Sequence, residues 1–315
     1  MTNEKPRVSV GLPVYNGEEF LAEAIDSILA QTFQDFELII CDNASTDSTA
    51  EICRSHAAID KRIRYYRNEQ NIGAAPNFNR VFELSKGEYF KWMAHDDVCR
   101  SRCLEKCVDA LDKNSELVMA YPKAIRIDEK GKTYPGRGFR LDGDSPKPHQ
   151  RFGNAISPAH GCFAIFAVIR SCILAKTPLI ASYLGSDRVL LAELFLHGPA
   201  LEIPEELAYH RDHQARSIRA FPSEQLRLAW FDPKAASRWV FPSWRKLGEY
   251  YRAVGRSPLG WSNRMRCHVQ LVRWVTRYWK ALLRDLDFLT ERPLIAKSSN
   301  SGRAVTPKDE FSNKS

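Results

Sequence analysis

The sequence contains no Cys-x-x-Cys pair, no Gly-x-Gly-x-x-Gly and no Gly-x-x-x-x-Gly-Lys-Ser/Thr segment. The first absence argues against zinc ribbons and dithiol redox chemistry. The other two remove the dinucleotide fingerprint and the phosphate-cradling loop, so hydride transfer and P-loop hydrolysis lose their main support. Long apolar runs are missing as well: the longest, near Gly161–Ile169, is about half a membrane span. The N-terminus, MTNEKPRVSVGLP, has no apolar stretch ended by a cleavage site, so neither a signal peptide nor a transmembrane helix is visible. Eight cysteines in 315 residues do not make a disulfide-stapled module, and a reducing, cytoplasmic setting is expected. Cys99, Cys103 and Cys107 fall four apart and are read as small buried hydrophobes on one helical face.

Hydrophobic residues make up 44% of the chain and charged residues 27%, enough for one sizeable core and a smaller second unit. The formal charge of +8 is unevenly placed. Residues 1–215 carry 26 basic and 30 acidic side chains, whereas 216–290 carry 15 and 5, together with six of the seven tryptophans. The division expected is a catalytic body over 1–220, a basic Trp-rich helical extension over 221–290, and a polar, disordered tail over 291–315.

The body alternates. Arg7–Leu12, Phe36–Cys41, Arg62–Tyr66 and Glu88–Ala94 read as strands, with helical patterns between them placing Leu21, Ile25, Ile28 and Leu29 on one face of the first. Further strands are expected at Glu116–Tyr121, Cys162–Ile169 and Ala200–Ile203, a helix near Asp187–His197, and a long connection over Gly131–Pro158 that is either a plain connecting loop or one that shapes a substrate site. The fold class is α/β, a Rossmann-like, mostly parallel central sheet flanked by helices, with a C-terminal helical extension.

Open αβ sheets bind ligands outside the carboxyl ends of their strands. The residues there form a polar series: Pro13-Val14-Tyr15-Asn16, then Asp42 to Asp47, then Asn68, Asn71 and Gly73, then His95-Asp96-Asp97. An aspartate pair at a strand end suits a hard divalent cation that completes its shell with phosphate oxygens, which suggests a diphosphate ligand. The same pair also suits a helix N-terminus, where carboxylates cap free N–H groups.

Val8–Asn16 (VSVGLPVYN), the second-strand end CDNASTD over 41–47, the Asn71-x-Gly73 turn, and Lys86-Gly87-Glu88-Tyr89 leading into His95-Asp96-Asp97 together resemble the inverting, non-processive family 2 glycosyltransferases of the GT-A fold, over roughly residues 6–215. The resemblance implies transfer of one sugar from a nucleoside-diphosphate sugar to a glycan or lipid-linked hydroxyl acceptor. It implies Pro13, Val14 and Tyr15 around the base, Asp42 accepting from the base imide of uracil or thymine, Asn71 and Gly73 beside the nucleotide, and Asp96 on the ribose. Asp97 would hold Mn²⁺ or Mg²⁺, and Asp187, which opens a helix, would be the base that takes the acceptor proton. The stretch Tyr209-His210-Arg211-Asp212-His213 with Arg216 and Ser217 is similar to the family's site-closing segment. There His213, or more weakly His210, would reach the metal or diphosphate, and Arg211 or Arg216 would neutralise phosphate charge. His95 and Ser186 stand where the family more often has acids.

Processive members add a Gln-x-x-Arg-Trp motif; Arg238-Trp239 occurs here with Ala235 at the Gln position, a chance dipeptide. Two alternatives are a nucleotidyltransferase, which would carry a Gly-rich basic loop after strand one, and nucleic-acid binding through the basic region. The latter leaves the strand-end series unexplained, so no nucleic-acid partner is expected. Over 264–289, Arg266, Arg273, Arg277, Lys280 and Arg284 share one helical face and Met265, Val272, Val275, Trp279, Leu282 and Leu286 another. That pattern fits either a surface helix packed on the body or a peripheral contact at the inner face of the membrane.

Overall fold

The computed structural model describes residues 5–134, 141–157, 161–214, 223–235 and 241–287. Four parallel strands, β1 (Val8–Val14), β2 (Phe36–Asp42), β3 (Ile63–Arg67) and β4 (Tyr89–Trp92), lie in the order β3-β2-β1-β4. The helices α1 (Leu21–Leu29), α2 (Thr49–Ile59) and α3 (Ala74–Glu83) make the crossovers. The sheet continues as a mixed one. After β5 (Val98–Cys99), α4 (Cys103–Lys113), β6 (Met119–Ile127), β7 (Thr133–Tyr134) and α5 (Pro148–Ala155), β8 (Val168–Arg170) runs antiparallel to both β4 and β6. The short α6 (Ser171–Leu174) and α7 (Ser186–His197) follow. Then β9 (Ala200–Arg211) runs parallel to β6, with register shifts around Pro122 and Lys123, and antiparallel to β5.

Every residue of β1 and β2 is buried, as expected of strands covered on both faces. Alternate side chains feed two cores. Val8, Val10, Leu12, Leu38 and Ile40 pack against α1 and α4, while Ile39, Cys41, Phe90 and Trp92 face α3, α5 and α7.

Three expectations are corrected. Cys162–Phe166 is a 3-10 turn and only Val168–Arg170 is strand, because a short apolar run has no periodicity to tell the two apart. Cys99 is on β5, while Cys103 and Cys107 are on α4; all three are buried. Within the expected loop, α5 buries Phe152 and Ala155.

The C-terminal helices α8 (Glu224–Phe231), α9 (Pro242–Arg256) and α10 (Trp261–Asp287) are not an appendage. Tyr250, Ala253, Val254, Cys267, Leu271, Trp274 and Leu282 belong to the same apolar cluster as α7 and the sheet, so the boundary expected near residue 220 runs through one core. Asp285 of α10 accepts from the backbone N–H groups of Ser243 and Trp244, closing the start of α9. Arg238, Trp239 and the 291–315 tail lie outside the described residues.

One ion pair fastens this arrangement. Glu193 of α7 is fully buried and takes two hydrogen bonds from Arg256 of α9, at 3.0 and 2.7 Å. Removing the guanidinium leaves a buried carboxylate without its counter-charge, which costs about 3–5 kcal/mol. Arg256→Ala is expected to lower the unfolding free energy by that amount in urea titration. A loss near zero would mean that α9 is docked by its apolar side chains alone.

Candidate active site

The loops leaving β1, β2, β3 and β4 meet at one edge of the sheet, beside the switch point where the strand order reverses between β1 and β4. They enclose a cleft of about 280 Å³ whose walls include Pro13, Val14, Tyr15, Asn43, Asn71, Asp96, Asp97, His213 and Trp230. A larger cavity of about 1060 Å³, lined by Tyr121, Tyr134, Phe163 and Tyr209 among others, adjoins it. Phe166 lines both. From the long connection, Thr133, Tyr134, Asp142, Gly143 and Asp144 face the larger cavity, with Gly161 and Phe163 beside them.

The strand-end loops are cross-linked by amides. Asn43 donates to Asn71 Oδ1 at 2.8 Å and accepts from Asn68 and from the Ile72 N–H, at 2.8 and 2.9 Å. Asn77 donates to the Cys41 carbonyl. Asn16 and Ala44 adopt positive φ, 48° and 63°, a conformation disfavoured for residues with a Cβ. The Asn16 Oδ1 accepts from the Thr46 N–H, and the Asn16 backbone N–H donates to Ser45 Oγ. Gly73 has φ 92°, and a Cβ there would lie 2.6 Å from Pro233 Cδ, so only glycine admits the segment after α8 to this position. Asn43 and Asn68 belong to the strand-end series read from the sequence, whereas Asn77, inside α3, and Trp230 carry no local motif.

Asp42 is fully buried and does not line the cleft. Its carboxylate accepts from the Ser45 N–H and the Tyr65 hydroxyl, and Arg67 lies 3.6 Å away. The neighbouring Asn43 reaches the cleft instead.

The aspartate pair divides its partners. Asp97 is buried and holds His210 Nδ1 at 2.6 Å and the Arg211 N–H at 3.0 Å, and Phe163 stacks on the His210 ring at 4.3 Å. Asp96 Oδ2 faces His213 Nε2 at 2.9 Å. The structure therefore joins His213 to Asp96 and not to Asp97. Burial opposes ionisation of Asp96, yet the His213 hydrogen bond and the adjacent His95 prevail and hold its carboxyl well below the ordinary carboxylate value.

Arg211 is also placed differently from its expected role. Its guanidinium, buried against the Phe20 ring, donates to the carbonyls of Asp96, Asp128 and Glu129 and to Glu23. These donors serve the protein, not a phosphate. Arg216 and Ser217 lie outside the described residues.

Asp187 stands in the first turn of α7, half-buried, and its Oδ1 accepts the Arg188 N–H. It does not line the 280 Å³ cleft. Cys162, at the start of the 3-10 turn, faces Asp187; burial and that carboxylate push the thiol well above its usual pKa. Phe166, at the other end of the same turn, lines the cleft. Lys91 of β4 donates to the Phe166 carbonyl and anchors the turn.

Among the described residues no group of three or more His, Cys, Asp and Glu side chains converges to hold a metal. Asp96 and His213 supply two facing donors, which fits a divalent ion completed by phosphate and water. No described helix is long and apolar enough to cross a membrane.

The fold is shared with solved structures. Residues 1–349 of TarS from S. aureus, in complex with UDP, superpose with a TM-score of 0.63 at 14% identity, covering 91% of this chain and 76% of that one. The mannosyltransferase PcManGT from Pyrobaculum calidifontis, in complex with GDP-Man and Mn²⁺, gives 0.50 at 16%, covering 90% and 86%. This is the GT-A architecture. Residues 9–172, just over half of the 315, match the model of glycosyl transferase family 2, and the chain belongs to that family. EpsE of Bacillus subtilis strain 168, which carries a glycosyltransferase's name, is 37% identical over 147 residues, 46% of this chain and 51% of its own. TuaG of the same organism, named for teichuronic acid biosynthesis, is 36% identical over 115 residues, 36% of this chain and 46% of its own. The chain spans about half the length of these two relatives and about a quarter of some others it matches.

Because the Asp96 carboxyl titrates lower in the native state than in the unfolded chain, its stabilising share is complete above about pH 4 and is lost as pH falls through the native value. Asp96→Asn is expected to shrink the stability lost between neutral pH and about pH 3, read from urea unfolding. An acid limb identical to that of the native chain would show that the pair contributes nothing.

Proposed function

We propose that the chain transfers one sugar from a nucleoside-diphosphate sugar to a hydroxyl acceptor, with inversion at the sugar carbon. The observation that carries this reading is the facing Asp96–His213 pair in a cleft at the carboxyl edge of the sheet, beside Tyr15 and the asparagine-ordered turns. The nucleotide takes the cleft, with Pro13, Val14 and Tyr15 against the base and Asn43, Asn71 and Gly73 beside it. Asp42 acts from within, shaping the turn that presents Asn43. UDP and dTDP are the favoured carriers; TarS was solved with UDP and with UDP-GlcNAc, while PcManGT was solved with GDP-Man.

Asp96 and His213 are the residues assigned to Mn²⁺ or Mg²⁺. When bound, the ion offsets charge on the leaving diphosphate. Asp97 holds His210 and the backbone of Arg211, and so sets where His213 stands. The donor sugar extends past Phe166 toward the larger cavity, lined by Tyr121, Tyr134, Phe163 and Tyr209 among others, which takes the glycan acceptor. Asp187, which faces Cys162 at the start of the 3-10 turn, is the residue assigned to take the acceptor proton. A cell-surface or lipid-linked glycan is the acceptor class adopted, in line with the pathway that TuaG's name gives for that protein. Family membership favours sugar transfer over nucleotidyl transfer and over nucleic-acid binding.

Isothermal titration of UDP, dTDP, GDP and CDP with Mn²⁺, and again with EDTA, tests the site. Metal-dependent binding is expected, and Asp96→Ala or His213→Ala should weaken it at least about tenfold, equivalent to the ~1.4 kcal/mol of one charge-assisted contact. Asp187→Asn should leave nucleotide affinity unchanged and lower kcat by about 10²–10⁴. No nucleotide binding under any condition would overturn the reading.

A further inference from the structure

The long helix α10 has three faces, not two. Cys267, Leu271, Trp274 and Leu282 are buried against the body. A second apolar row is left in solvent: Trp261 is 79% exposed, Val272 63%, Leu283 52% and Trp279 51%, with Met265 and Leu286 in line with them. The helix kinks at Tyr278 (φ −107°, ψ 15°), so its two segments carry these rows separately: at about 100° per residue the apolar row spans an arc of about 40° before the kink and about 60° after it, and exposed Arg266, Arg273 and Arg277, then Lys280 and Arg284, each span about 40° beside it. Asp285 is turned inward to the start of α9. The exposed face is thus an apolar stripe with a tryptophan toward each end and five cations along one flank.

We infer that this face of α10 docks on an anionic lipid bilayer, lying in the interface without crossing it. Charge complementarity selects the occupant. A second copy of the chain would bring the same five cations to the same stripe. Residues 288–315 carry five basic and three acidic side chains, which gives no complement either. A bilayer surface supplies both partners at once: acyl chains for the apolar row, and anionic headgroups for the guanidinium and ammonium groups beside it. Trp261 and Trp279 sit at the depth where indoles are favoured. The helix is too polar to be a span, and its buried face keeps it fastened to the body, so the whole domain lies down on the surface.

The contact bears on the site. Arg277 Nη1 lies 3.4 Å from Ser157 Oγ, and Arg188, next to Asp187, donates to the Ser157 carbonyl at 2.9 Å. The docked helix is therefore tied to the start of α7. The inference rests on the surface alone and does not require the sugar-transfer reading.

Flotation of the full chain with phosphatidylcholine vesicles, with and without phosphatidylglycerol, tests it. Binding is expected only with phosphatidylglycerol, falling at least about tenfold on raising salt. Two double variants at exposed positions, Arg273→Glu with Lys280→Glu and Val272→Ser with Trp279→Ser, should each abolish flotation while leaving the melting temperature unchanged. UDP titration of the same samples reads the nucleotide site independently, so loss of one readout without the other separates the two proposals. Failure of the native chain to float with anionic vesicles would overturn the inference. So would flotation that survives both variants, or a dimer in sedimentation that the Val272→Ser, Trp279→Ser variant dissolves.

Discussion

The site depends on the burial of one cation. Arg211 is almost wholly inaccessible, so its guanidinium has to be answered by protein groups, and it is: by the carbonyls of Asp96, Asp128 and Glu129 and the carboxylate of Glu23. A planar fork of five donors can tie several chain segments at fixed angles, which a lysine cannot. Here it joins α1, the β4 end and the turn after β6 to the last residue of β9. That junction sets the height of β9, and so brings His210 to Asp97 and His213 to Asp96. The register shifts near Pro122 and Lys123 give β9 the local freedom to deliver two histidines to one aspartate pair.

Much of this was legible in the residues. Four strands with an acidic or amide-rich turn after each are a local pattern, and local patterns survive folding. Pro13, Val14, Tyr15, Asn71, Asp96, Asp97 and His213 line one cleft. What could not be read were choices made by tertiary contact. Asp42 and Asn43 are adjacent, and the carboxylate that turns inward is held by the Ser45 N–H together with the Tyr65 hydroxyl, which arrives from β3. Arg211 looks like a phosphate ligand until the carbonyls of a distant turn claim its donors. Cys162–Phe166 is apolar enough for a strand, yet it is a 3-10 turn whose Phe163 and Phe166 line the larger cavity.

The C-terminal third shows the same limit on a larger scale. Its charge and tryptophans suggested something separate from the body. Yet Trp274 and Tyr250 sit in the main core, and the Glu193–Arg256 pair crosses from α7 to α9. Helical periodicity identifies an apolar face; it does not say that one helix can carry two, one answered by the body and one left open.

Gly73 gives the last consequence. With no side chain there, the segment following α8 comes within 2.6 Å of where a Cβ would be, and Trp230 just before it forms part of the cleft wall. That wall comes from residues more than 130 positions downstream of the strand ends it completes. Ligand occupancy and the seating of this arm are therefore thermodynamically linked: whatever fills the cleft also disfavours the local opening in which the arm lifts from Gly73.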